Sequence, residues 1–116
     1  MIETLIRLDG RGLIQEVTVK GHGELGLKGS DPLCAAVTVL SGTFGRMLES
    51  QHRIGWEGKA DKPGQFWIKV LSIPVSERDW FGGAGDYFLL GLQDLMKQFP
   101  QNIRVNIEVA EARHGT

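Results

Sequence analysis

The sequence predicts an α+β fold: a two-layer α/β sandwich in ββαββαβ order, with a mostly antiparallel sheet and two helices on one face. Three observations carry this reading. Residues 2–8, 13–20 and 103–109 alternate apolar with polar side chains, the two-residue period of a strand. Two longer stretches, opening near Asp31 and near Asp86, repeat apolar residues at steps of three and four, the period of a helix. Short clusters of Gly, Pro and Asp separate these stretches. Strands and helices with one apolar face each bury those faces by stacking a helical layer on a sheet. The 116 residues form one domain, 1–116, and a chain of this length buries about two-thirds of its unfolded surface without disulfides or metal.

Each element has its own signal. Ile2, Thr4, Ile6 and Leu8 alternate with Glu3, Leu5 and Arg7 to give the first strand. Asp9-Gly10-Arg11-Gly12 is turn chemistry, and Leu13–Lys20 is the returning strand of a hairpin. From Gly21 to Gly29 no period survives, and the glycines predict a mobile loop. Asp31 then caps a helix with Pro32 at its first position, where no amide donor is missed. Leu33, Ala36, Val37, Leu40, Phe44, Met47 and Leu48 form its apolar stripe, a row of small residues (Cys34, Thr38, Ser41, Gly45) runs beside it, and the helix fades near Ser50. His52–Ala60 and Gln65–Leu71 read as strands joined by an Asp61–Gly64 turn. Residues 72–85 read as a loop. A second helix is expected from a cap near Asp86 to Pro100, with its stripe at Phe88, Leu89, Leu92, Leu95, Met96 and Phe99. Ile103–Val109 is the last strand.

Composition excludes several classes. Thirteen Lys+Arg against fourteen Asp+Glu leave a net charge of −1, so electrostatic binding to nucleic acid is not expected. No apolar run approaches the roughly 18 residues that cross a bilayer. The N-terminus lacks a basic leader region, and a single cysteine forms no internal disulfide; both fit a cytoplasmic location.

Cys34 is the residue most able to carry chemistry. At the third position of a helix, the free amides and the positive end of the helix dipole favour a thiolate. The alternative is a small packed hydrophobe. His22 stands twelve residues earlier, at a strand end across the glycine loop, where it is either a base for Cys34 or a surface histidine. Asp31 is a helix cap under any reading. His52 and His114 show no metal-ligand spacing with Cys34, and neither a metal nor a cofactor is expected. Gly82-Gly83-Ala84-Gly85 lacks the lysine of a phosphate loop. Trp56, Trp67, Trp80 and Phe81 are expected in the core rather than at a seam between copies.

Gly21-His22 and Gly29-x-Asp31-x-x-Cys34-Ala35-Ala36-Val37-Thr38 together resemble the ribosomal-processing cysteine protease (Prp) family, as do Leu89-Leu90-Gly91-Leu92 and Phe99-Pro100. The resemblance implies a two-layer fold, a homodimer, and a cysteine endopeptidase with Cys34 as nucleophile and His22 as its base. Asp31, Gly21 and Gly29 become supporting or substrate-binding positions. It further implies removal of an N-terminal extension from large-subunit ribosomal protein number twenty-seven. The chain departs from the family pattern at Gly23, where Ala is common, at Pro32-Leu33, where β-branched residues are common, and at Leu25, where an aromatic is common. Donors for an oxyanion are expected from the Leu33 or Cys34 amide or from a loop glycine. Two rival readings remain at this level: a noncatalytic ribosome-associated assembly factor, and a structural dimer with a packed cysteine.

Overall fold

A computed structural model describes residues 1–27, 29–62 and 65–110. Five strands, β1 (Ile2–Leu8), β2 (Ile14–Gly21), β3 (Gly55–Lys62), β4 (Gln65–Ser72) and β5 (Ile103–Val109), form one sheet in the order β3-β4-β2-β1-β5. The helices are α1 (Pro32–Ser50) and α2 (Arg78–Gln98), the latter preceded by a single 3₁₀ turn at Val75–Glu77. The sheet is antiparallel except for the β1–β5 pair, which runs parallel.

The β1–β2 hairpin follows from its turn. Asp9 Oδ1 accepts from the amides of Arg11 (2.8 Å) and Leu13 (3.0 Å), and Gly12 takes a φ of 83°, which favours glycine. The register then puts Thr4 opposite Val19 and Ile6 opposite Val17. Ile68 of β4 lies beside Val17, and Ile103 of β5 beside Ile2, so one apolar face crosses the sheet. Glu3, Arg7, Lys20 and Lys69 point to the other side and stay exposed. Leu33, Val37, Phe44 and Leu48 of α1, with Phe81, Phe88 and Leu92 of α2, cover the apolar face. Phe44 ties the two helices together, stacked on Phe88 at 4.7 Å between ring centroids and tilted against Phe81 at 6.0 Å. Trp56 and Trp80 pack at the edge of this core.

Three sequence expectations need correction. Residues 72–85 are not one loop: α2 begins at Arg78, eight residues before Asp86, and carries Gly82-Gly83-Ala84-Gly85 inside it. Glycine opposes a helix, but packing decides here. Phe81 and Ala84 extend the apolar stripe upward, and a methyl on Gly85 would stand 3.2 Å from Ile14 Cδ1, so the glycine lets the helix settle onto β2. Next, β3 starts at Gly55 rather than His52, because Gln51–Ile54 is a turn closed by Gln51 N donating to the Leu48 carbonyl and Ile54 N to the Gln51 carbonyl. Finally, Trp67, expected in the core, is half-buried and lies outside it, because its strand neighbour Ile68 takes the core-facing position. The expected turn at Asp61–Gly64 and His114 lie at least partly outside the described residues.

Candidate active site

The last residues of β2, the start of α1 and the chain entering β5 meet at one end of the sheet. Asp31 caps α1 as its sequence position requires. Its Oδ1 accepts from the amides of Leu33 (2.9 Å) and Cys34 (3.1 Å), two of the unpaired donors of the first turn. Its Oδ2 accepts from Leu25 N at 3.0 Å, so the same carboxylate starts the helix and ties down the loop. The Leu25 amide contributes most to holding the Asp31 carboxyl below its ordinary value of 3.8. Burial pushes the other way, and the amides of Cys34 and Leu33 and the Cys34 side chain add smaller downward pulls.

Cys34 occupies the third helical position and is half-buried. Its Sγ accepts a hydrogen bond from Gly23 N at 3.2 Å. Gly23 is buried, and a methyl there would stand 2.8 Å from Asp31 Oδ2. The loop therefore lies closer to Asp31 than an alanine at this position permits, which gives the Gly23 departure a structural meaning. The Gly23 carbonyl accepts from Asn102 Nδ2 at 2.9 Å, a contact spanning 79 residues.

His22 is exposed, and among the described residues no hydrogen bond joins its ring to Cys34. It immediately precedes Gly23, the residue whose amide touches the sulfur. Gly21 has a φ of 100°, and a methyl there would collide with the Met1 carbonyl oxygen; only glycine fits. Gly29, with a φ of 87°, sits in open space and shapes the loop through its backbone alone. The structure thus brings Cys34, Asp31 and Gly23 together. Gly21 and Gly29 bound the loop. Of the expected oxyanion donors, the Leu33 and Cys34 amides are committed to Asp31, which leaves the Gly23 amide as the donor beside the sulfur. Sequence reasoning missed both Asn102 and the Leu25–Asp31 bond, since neither a residue 79 positions away nor a backbone amide carries a local signal.

The profile of the family described as cysteine protease Prp matches residues 1–104. The chain belongs to this family. As a Prp family member it is a cysteine endopeptidase. Solved structures share the fold. The ribosomal processing protease Prp from S. aureus, in complex with a covalently linked product peptide, superposes with a TM-score of 0.81 at 22% identity, covering 93% of this chain and 100% of that one. The same protease with a substrate peptide gives 0.75 at 21% identity, over 93% and 100%. SMU.848 from Streptococcus mutans gives 0.75 at 24% identity, over 95% of this chain and 96% of that one. A comparison with curated proteins finds no match. Among the described residues no helix is long and apolar enough to cross a membrane.

Proposed function

We propose that this Prp family member, acting as a single domain in the cytoplasm, removes an N-terminal extension from a large-subunit ribosomal protein, number twenty-seven, with Cys34 as nucleophile and His22 as its base. The observation that carries the reading is the Cys34 sulfur at the N-terminus of α1 with the Gly23 amide donating to it. An amide and a helix N-terminus both favour negative charge on sulfur, and the Asp31 carboxylate beside it opposes that charge. The S. aureus relative, with a product peptide linked covalently, supports the peptide chemistry.

In the proposed reaction a ring nitrogen of His22 takes the Cys34 proton, after the exposed ring turns toward the sulfur. Catalytic contacts of this kind often form only when substrate is bound. The thiolate attacks the scissile carbonyl carbon, and the carbonyl electron pair moves to oxygen. The Gly23 amide, freed from the sulfur as the C–S bond forms, is placed to donate to that oxyanion. Collapse breaks the C–N bond, and His22 returns its proton to the leaving amine. Water, losing a proton to His22, then hydrolyses the thioester and restores the thiol. Asp31 holds the loop that carries both His22 and Gly23. The working protein is a homodimer, a state that sedimentation equilibrium reads directly.

The test is incubation of the protein with ribosomal protein twenty-seven carrying its extension, followed by intact mass measurement. One new amine terminus at the end of the extension is expected. An intact substrate would overturn this choice of substrate.

A further inference from the structure

We propose that Asn102 is a positioning residue for Cys34, aiming the Gly23 amide at the sulfur from the opposite end of the sequence. This deepens the peptidase reading and rests on it for its catalytic consequence.

Three contacts fix Gly23. Its amide donates to Cys34 Sγ, its carbonyl accepts from Asn102 Nδ2, and its Cα lies against the Asp31 carboxylate with no room for a methyl. Among the described residues, the Asn102 carboxamide is the side chain outside segment 21–34 that bonds the Gly23 backbone. Asn102 is itself held rigidly. Its amide donates to the Phe99 carbonyl (3.0 Å), and its carbonyl accepts from Ile2 N (2.8 Å) where the parallel β1–β5 pair begins. The carboxamide therefore projects from the sheet, and the sheet holds a glycine that is otherwise free to turn. Without the Asn102 donor, the buried Gly23 carbonyl loses its partner, and the backbone on both sides of the Gly23 Cα shifts as the carbonyl finds another. The N–H then leaves the sulfur.

The experiment compares the full-length protein with Asn102→Ala and Asn102→Leu. The leucine variant keeps the size without a donor or a new charge. Iodoacetamide alkylation of Cys34 is followed from neutral to alkaline pH, alongside cleavage of an extended ribosomal peptide. Both variants are expected to alkylate several-fold more slowly near neutrality, with the difference closing at alkaline pH. Turnover is expected to fall roughly 10–100-fold, chiefly in kcat, as for a misplaced catalytic group. Alkylation profiles unchanged in both folded variants overturn the proposal. The unmodified protein supplies a check that needs no variant: the Asn102 carboxamide and Gly23 amide NMR signals should both move when Cys34 is alkylated. Stationary signals overturn the coupling. Cleavage that survives Cys34→Ser removes Cys34 as the nucleophile, while the alkylation profiles still judge Asn102 separately.

Discussion

Asp31 shows how one side chain joins stability to the site. Its ionised form accepts three amide bonds, one of them from the loop. Because its carboxyl is held below the ordinary 3.8, the stability it contributes is complete above that value and is lost as pH falls below it through the depressed folded value. Asp31→Asn separates the two jobs. The carboxamide oxygen still caps Leu33 and Cys34, since asparagine is a good cap, but its nitrogen faces the Leu25 amide donor against donor. Acid unfolding followed by circular dichroism is expected to lose part of its pH dependence below 3.8, and Leu25 amide exchange is expected to quicken. Curves identical to the parent would remove Asp31 as a linked carboxylate. Asp31→Ala loses the cap as well and is expected to melt at a lower temperature than either.

The secondary elements differ in how openly the sequence announces them. The start of α1 was legible because Asp31-Pro32 is capping chemistry at fixed positions and needs no tertiary information. The first two turns of α2 were not, because Gly82, Gly83 and Gly85 oppose a helix locally and only contact with β2 reveals their purpose. A signal was nevertheless there: Phe81, Ala84, Phe88 and Leu92 keep helical spacing across the supposed boundary at Asp86. Gly83 is exposed with open space where a methyl would go, so Gly83→Ala is expected to stabilise by about 1 kcal/mol through helix propensity. A methyl at Gly91 would meet Leu40 Cδ2 at 2.9 Å, so Gly91→Ala is expected to fall below Gly83→Ala in the same urea titration. A destabilising Gly83→Ala would contradict the helix at that point.

For the whole molecule, the layer count and element order could be read from hydrophobic period, because each amphipathic face must be buried and one sheet under two helices does so. The strand order could not, because the pairing of β1 with β5 joins the two ends of the chain. That pairing is also what carries Asn102 to Gly23, so the least legible part of the topology completes the surroundings of the thiol. The site was read in the same proportion. Cys34 and Asp31 follow from a local motif, whereas the Gly23 contact needs the loop folded back on the helix. The most direct test of this arrangement is binding and cleavage of one extended ribosomal peptide by the parent protein, Cys34→Ser and His22→Ala, measured side by side. Both variants are expected to bind the peptide with little change, Cys34→Ser releasing no product and His22→Ala losing turnover far more than affinity. Undiminished cleavage by Cys34→Ser would contradict a Cys34 nucleophile and with it the catalytic roles given to His22 and the Gly23 amide.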